Sequence, residues 1–327
     1  MNKHNEEKMQ AVADKVIKLM ETEKGNWFKP FASYTRRPNN YFTSNLAYNI
    51  TSMNNYSGWN TFSLGLNHML YESNAYATFK QINALGGSVK KGETGTHVCY
   101  YGTGKTKKDE DNKKSSYRFL KFYSVFNLEQ TNLDPKEIEE EALSKQKDQK
   151  QLDAKKYALR KIPTIDDLEL FIKNTEATIV HKEAGRCYYN PSLDYINMSP
   201  LDTWKSDKHG SKQDYYYSTL FHELVHWTKG EYRTNRDAKN PYESRSFGSK
   251  GYAFEELCAE LGSAMLSSTL GLTKVPMENH AQYLNSWMQA LKENPEYLMK
   301  ASSLSQQAVN YVYDLQPSNK VELVRVA

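Results

Sequence analysis

The amino-acid sequence predicts an α+β protein that is divided into two domains. A chain of 327 residues is longer than a typical single domain and suits two. Helical and strand patterns are mixed over residues 1–133, whereas residues 162–327 are mainly helical in pattern. Residues 134–161 between them are rich in charge and nearly free of aromatic residues. We therefore expect an N-terminal domain, a charged linker that is solvated or an exposed helix, and a C-terminal domain with these boundaries.

The N-terminal domain is expected to contain both helices and a hairpin. Apolar residues at helical spacing predict an amphipathic helix at 6–24, and weaker patterns predict helices at 60–72 and 76–84. A strand pair that turns at Lys90 to Glu93 is expected between Val89 and Tyr101. A flexible loop and a returning strand are expected at residues 102–116 and 118–126.

The C-terminal domain is expected to begin with a helix at 165–172 and two strands at 177–180 and 195–198. The connection between these strands runs through residues 188–191. An upstream strand such as 193–198 is a candidate for holding an extended peptide by edge pairing. The pattern after Asp214 is mainly helical.

The composition favours a globular protein of the cytoplasm. Hydrophobic residues make up 39% of the chain and charged residues 25%. No run of 18 apolar residues and no secretory signal is found, so we expect no membrane association. The three cysteines lie far apart and form no CxxC pair, which fits a reducing compartment.

The strongest chemical signal is an HExxH motif that runs from His222 to His226. Residues i and i+4 lie on one face of a helix, so two imidazoles at this spacing can bind one zinc ion. The intervening Glu223 is then placed to act as the general base for the attacking water. The sequence therefore predicts one Zn²⁺ per chain, as in zinc metallopeptidases.

A third ligand is expected from the later helical segment around residues 252–264. Glu256 and Glu260 are four residues apart and have small neighbours, which indicates a close-packed face where carboxylates are rare unless paired or bound to a metal. We assign Glu256 as the third ligand and Glu260 as support for a histidine, with the reverse assignment left open. Transition-state support is expected from His280, Arg245 or a tyrosine.

Charge and aromatic residues in the first half indicate a nucleic-acid partner. Residues 1–133 contain 18 basic and 11 acidic residues, whereas the remainder contains 25 and 28. Proteins that bind single strands combine cationic grooves with aromatic rings on which bases stack. The candidate DNA-binding residues are Trp27, Arg36, Arg37, Tyr48, Trp59, Lys90 and Lys91.

Over nearly its full length the chain resembles the ArdC-type antirestriction family of plasmids and other mobile elements. In the first half the resemblance rests on segments such as Thr78 to Gln81, Lys91 to Gly95 and Val125 to Asn127. In the second half it rests on Tyr216 to Trp227 and Tyr252 to Ala264. The resemblance implies an N-terminal single-stranded-DNA-binding domain joined to a zincin-like metallopeptidase domain.

Three functions follow from this resemblance and the motifs. The first is an antirestriction-like protein that coats single-stranded DNA entering a cell, with a host restriction component as a possible protein substrate. The second is a DNA-targeted zinc endopeptidase. The third is a replication or primase accessory protein whose metal site is silent.

Overall fold

The N-terminal half is built on a four-stranded sheet. The computed structural model describes residues 3–24, 27, 46–67, 70–105, 116–145, 164–244, 246–272 and 283–317. The strands of this sheet are β1 (Tyr48–Asn49), β2 (Ala75–Thr78), β3 (Thr96–Lys105) and β4 (Ser116–Asn127). Their order is β1-β2-β4-β3; β1 and β2 are parallel, and the other neighbours are antiparallel. The returning strand predicted at 118–126 is confirmed as β4.

Four helices in the described part of this half come before, between and after the strands of the sheet in chain order. They are α1 (Lys3–Glu23), α2 (Trp59–Gly65), α3 (Phe79–Ala84) and α4 (Pro135–Ser144). The amphipathic helix predicted at 6–24 is confirmed as α1, which buries Met9, Val16 and Met20. The helix predicted at 60–72 is shorter and ends at Gly65.

Two local predictions for this half are wrong. The segment predicted as a helix at 76–84 begins as strand β2, and α3 starts only at Phe79. Thr78 caps that helix: its side chain accepts a hydrogen bond from the Gln81 amide. The strand pair predicted within 89–101 does not form, because β3 pairs with β4 while Val89 makes only an isolated bridge to Thr131.

The segment predicted as a solvated linker or an exposed helix at 134–161 begins with a helix that is docked against the N-terminal half. In α4, Glu139 is buried and its Oε1 accepts a hydrogen bond from Ser73 Oγ at 2.9 Å. Ile138 and Ala142 of the same helix pack against the apolar cluster that contains Leu128. Residues 146–163 lie outside the described part of the chain.

The C-terminal half combines a small sheet with five helices among the residues described. These elements are α5 (Ile165–Lys173), β5 (Thr178–Val180), β6 (Tyr188–Asn190), β7 (Tyr195–Asn197), α6 (Lys212–Trp227), α7 (Lys250–Thr269), α8 (Leu284–Glu293) and α9 (Glu296–Asp314). The predicted α+β layout, mixed in the first half and mainly helical in the second, is confirmed. The strand order is β5-β7-β6. β7 is the central strand, so its backbone is paired on both sides. The prediction that strand 193–198 holds an extended peptide by edge pairing is therefore wrong.

A single apolar core connects the two halves. The ring of Trp27 packs edge-on against Trp287, with centroids 5.9 Å apart, and in a tilted arrangement against Phe62, with centroids 6.5 Å apart. The same buried cluster contains residues from α1, α2 and the β3-β4 ribbon on one side, and from α7, α8 and α9 on the other. The two halves of the sequence therefore fold against each other.

Within the described ranges, none of the helices has the length and apolar character that crossing a membrane requires.

Candidate metal centre

Helix α6 carries the HExxH motif and is buried around its whole circumference at that point. Its first turn is fixed by a capping box, in which Ser211 Oγ accepts from the Asp214 amide and the Asp214 carboxylate accepts from the Ser211 amide. Every residue from Tyr216 to Trp227 is buried. A helix in this position has no solvated face, so its polar side chains must find partners inside the protein.

Helix α7 lies very close to α6 because a glycine stands at the contact. A Cβ atom added at Gly262 would lie 2.8 Å from Cγ2 of Val225, closer than packed atoms tolerate. Nearby, Ser263 Oγ donates to the Ser218 carbonyl at 2.7 Å. This close approach brings the carboxylates of α7 against the two histidines of α6.

Donor atoms of three side chains meet at the interface of these helices. The Nε2 atoms of His222 and His226 are 3.0 Å apart; the first lies 3.4 Å from Oε2 of Glu256 and the second lies 3.4 Å from Oε1. Ligand atoms on a tetrahedral ion with bonds of about 2.0–2.2 Å are separated by about 3.3–3.6 Å. The three side chains are all buried, and they form the one group of this kind found among the described residues. They therefore fit a tetrahedral divalent metal that keeps one position open.

The other ring nitrogens face different carboxylates. Nδ1 of His226 lies 3.0 Å from Glu255 Oε1, and Nδ1 of His222 lies 3.4 Å from Glu260 Oε2. Carboxylates that hold the far nitrogen of a metal-binding imidazole fix its orientation and raise its basicity. Glu256 thus lies on the side where the donor atoms converge, and Glu260 lies behind His222.

Four buried carboxylates lie at this centre. Each of these glutamates exposes less than a tenth of its surface: Glu223 is 6% exposed, Glu255 5%, Glu256 7% and Glu260 0%. Arg236, itself 1% exposed, donates to both oxygens of Glu255 at 2.6 and 2.9 Å. Since isolated buried carboxylates are costly, the remaining negative charge favours a cation between the helices.

The pKa values of the site reflect the same arrangement. Burial lowers the pKa of His222, but hydrogen bonds to Glu256 and Glu260 outweigh it and raise this pKa to about 10. Burial raises the pKa of Glu255, but the guanidinium of Arg236 and the contact with His226 lower it to about 2. Contacts with His226 and His222 likewise hold the pKa of Glu256 well below its ordinary value, so Glu255 and Glu256 stay charged.

Glu223, the expected general base, is held by the backbone of the edge strand β6. Its Oε2 accepts a hydrogen bond from the Tyr189 amide at 2.8 Å. The hydroxyl of Tyr189 donates to Oδ1 of Asp194 at 2.9 Å, and Asp194 pairs with Arg233 at 2.6 Å. Arg233 in turn lies over the ring of Trp227 at the end of α6, so the small sheet is tied to the metal-binding helix.

Three contributors to this site were not predicted from the sequence. Glu255 follows the same reasoning as its neighbours, because it is a carboxylate on an otherwise apolar helix. Arg236 and the Tyr189 amide gave no signal in the spacing of residues, since only the tertiary fold brings them to the motif. Of the other predicted site residues, Arg245 and His280 lie outside the described part of the chain.

The structure corrects three of the predicted DNA contacts. Trp27, Tyr48 and Trp59 are 1%, 1% and 3% exposed, so their rings pack in the core and present no face to a base. Lys90 and Lys91 lie exposed at a turn, where Lys90 Nζ donates to the Glu129 carbonyl. Arg36 and Arg37 fall outside the described residues.

Each half of the chain matches a known protein family. Residues 6–126 match the model of the N-terminal domain of the anti-restriction factor ArdC, and residues 166–304 match that of zincin-like metallopeptidases. DNA primase TraC of Escherichia coli is 30% identical over 93% of this chain, which spans only 20% of that primase.

Solved structures extend the similarity to the whole chain. The metal-free crystal structure of the antirestriction protein ArdC from plasmid R388 is 30% identical, with a TM-score of 0.71 over 94% of this chain and 97% of that one. Its Mn(II)-bound structure has a TM-score of 0.68 at the same identity. This chain therefore belongs to the ArdC antirestriction family.

Proposed function

We propose that this antirestriction-type protein binds single-stranded DNA with its N-terminal half and holds one Zn²⁺ in a metallopeptidase-type site. The observation that carries the proposal is the buried set of His222, His226 and Glu256 beside Glu223. The excess of basic residues in the first half supports a polyanionic partner.

Zinc is the metal that this donor set favours. Two imidazoles and one carboxylate are the ligands of many catalytic zinc sites, and sites rich in imidazole bind zinc more tightly than manganese. The related ArdC from plasmid R388 has been crystallised with Mn(II), which supports a divalent metal in this family.

The residues around the site suit hydrolysis of an amide or ester. A divalent metal, when bound, acidifies a water and polarises a carbonyl group. Glu223 is placed to take the proton of the attacking water, and the Tyr189 amide holds its carboxylate in position. Strand β6 is an edge of its sheet beside α6, so an extended peptide has a place to pair there.

The chemistry of the site separates this function from its alternatives. A DNA-targeted endopeptidase and an antirestriction protein that uses proteolysis both require Glu223, whereas a silent metal site does not. The similarity to one fifth of a DNA primase keeps a replication accessory role as the second candidate.

The test uses Glu223→Gln in the full chain. Cells with an active restriction system would receive unmodified DNA in the presence of wild-type protein, of this variant, or of neither. We expect wild type to raise the yield of recipients, and the variant to lose this effect while retaining its metal and its DNA affinity. Full protection by Glu223→Gln would show that catalysis is not how the protein works, and no protection by wild type would contradict the antirestriction role.

A further inference from the structure

The β3-β4 ribbon extends beyond the sheet to which it belongs. β2 pairs with β4 only at residues 125–127, whereas β3 and β4 stay in register from Thr96 opposite Val125 to Lys105 opposite Ser116. The outer part of the ribbon is therefore two-stranded and has two faces.

One face of the ribbon is built into the core. Cys99 and Phe122 are directly opposite each other, and both are 6% exposed. The ring of Phe122 packs edge-on against Trp59 at 6.5 Å. Side chains alternate along a strand, so the residues immediately before and after Cys99 and Phe122 belong to the other face.

The other face carries a row of exposed rings. Tyr100, Phe119 and Tyr117 are 56%, 36% and 52% exposed. Ring centroids are 6.1 Å apart both between Tyr100 and Phe119 and between Phe119 and Tyr117. Successive positions on one face of a strand are about 6.8 Å apart, so the three rings cover roughly 14 Å. We call these three residues the ribbon ladder.

Two glycines allow these rings to lie against the backbone. Gly102 is opposite Phe119, and Gly104 is opposite Tyr117. A Cβ at either glycine would fall 2.4 Å from the Cζ atom of the facing ring. Each ring therefore covers the bare backbone of the opposite strand, which fixes its position and leaves its outer side to solvent. Flat rings held in this way are preorganised for stacking.

The charge around the ribbon ladder is positive. Lys121 is exposed and directly opposite Tyr100, so it belongs to the same face. Residues 96–105 and 116–127 contain no aspartate or glutamate, and Lys121 is the basic residue that strand alternation assigns to the ladder's face. A large exposed apolar patch is uncommon on a monomer, and this one lies beside a cation, Lys121.

We propose that the ribbon ladder is the surface on which the bases of single-stranded DNA stack, with Lys121 contacting a phosphate. This inference rests on the proposed function and gives it a location, since the rings first expected to stack are buried. Aromatic rings beside cations are the recurring device of proteins that bind single strands without reading sequence. Duplex DNA hides the faces of its bases, so the ladder selects single strands.

The test measures the anisotropy of a fluorescein-labelled thymidine 20-mer titrated with the full-length protein. Stacking contributes about 1–3 kcal/mol for each base, so alanine at one ring should weaken binding about fivefold or more. Replacement of all three rings should weaken it about a hundredfold or more, whereas Tyr117→Phe should bind like wild type. Tyr232→Ala, which removes a ring that is 96% exposed in the other half, is the matched control and should have no effect.

A second measurement does not depend on the folding of the variants. A 20-mer that contains 5-iodouracil would be crosslinked to wild-type protein and the attachment sites mapped by mass spectrometry. We expect crosslinks at Tyr100, Phe119 or Tyr117. Crosslinks confined to other segments, or a triple variant that binds as tightly as wild type, would overturn the ladder while leaving single-strand binding intact. Failure of wild type to bind the 20-mer would contradict the proposed function itself.

The same triple variant also tests whether the ribbon ladder binds another copy of the chain instead of DNA. Self-association through the ribbon would appear as a change in mass by light scattering between wild type and the triple variant. If the triple variant changes its mass but not its DNA affinity, the ladder is an interface between copies of the chain and the DNA proposal is wrong.

Discussion

At the scale of single residues, the metal centre depends on which nitrogen of each histidine faces which carboxylate. Glu256 lies 3.4 Å from both Nε2 atoms, whereas Glu255 and Glu260 each face one Nδ1 atom. The three acids occupy one turn and a half of the same helix, yet they face different nitrogen atoms. We propose that Glu256 completes the donor set and that Glu255 and Glu260 orient the imidazoles.

The first prediction separates these tasks by conservative substitution. Glu256→Gln should reduce the zinc content of the purified chain far below one per molecule, because it removes a ligand. Glu260→Gln should retain the metal with an affinity lowered about 10- to 100-fold, as is typical for support of a ligating histidine. Zinc would be measured by elemental analysis and by competition with a chelator. Greater loss in Glu260→Gln than in Glu256→Gln would reverse the assignment.

At the scale of elements, the centre requires α6 and α7 to approach closely. Gly262→Ala places a methyl group where Val225 already lies, and should destabilise the fold by about 1–3 kcal/mol. Because the helices move apart, zinc affinity should also fall although every ligand is intact. The free energy of unfolding in urea and the chelator competition measure the two effects.

The control for this prediction is Val225→Ala in the same background. The double variant makes room for the added methyl group, so it should recover metal affinity relative to Gly262→Ala alone. Additive losses in the double variant would show that the contact between these two residues is not what sets the helix separation.

We expect the stability that α4 contributes to the fold to depend on pH, because Glu139 is buried in its contact. Burial raises the pKa of Glu139, and hydrogen bonds from Ser73 and Tyr48 and the charge of Glu129 modify it without reversing the direction. The folded state therefore holds this proton to higher pH than the unfolded chain, where the pKa is 4.5. The stability that the protonated group contributes is present below that value and is lost as the pH rises through the folded pKa.

Glu139→Gln stays neutral at every pH and keeps an oxygen that accepts from Ser73. The variant should therefore be more stable than wild type at pH 8, with a difference that shrinks towards pH 4. Thermal or urea unfolding at several pH values measures this. A difference that grows on acidification would mean that the charged form of Glu139 is the one that the fold favours.

The success of sequence reasoning varied with how local each signal was. The face of α1 and the HExxH spacing are local patterns, so α1 was predicted and the three candidate ligands do lie together. β2 was mistaken for a helix because Ala75, Tyr76 and Ala77 are all buried, which removes the alternation that marks a strand. Arg236 and the Tyr189 amide reach the site through the fold alone, so no spacing could reveal them.

At the scale of the whole molecule, the two halves share one core although their sequences match different families. Trp287 of α8 is fully buried, contacts Trp27, and donates to the Ala253 carbonyl at 2.7 Å. Removing either half would expose this cluster to water. We therefore expect cooperative unfolding rather than two independent transitions.

Trp287→Ala tests this coupling. The substitution should destabilise the protein by about 3–5 kcal/mol, and it should do so in both halves. Hydrogen exchange followed by mass spectrometry across a urea series would report β3 and β4 separately from α6 and α7. Equal shifts of the two midpoints are expected. A shift confined to α6 and α7 would show that the halves unfold independently.

The most direct test of the account is an anomalous difference map, recorded at the zinc absorption edge, from crystals of the zinc-loaded chain. We expect one peak per chain, about 2.0–2.2 Å from Nε2 of His222, Nε2 of His226 and a carboxylate oxygen of Glu256. Glu223 should lie beside the open position without binding the metal. A peak bound by other residues, or no peak at saturating zinc, would contradict the central claim that these three side chains form a metallopeptidase-type metal site.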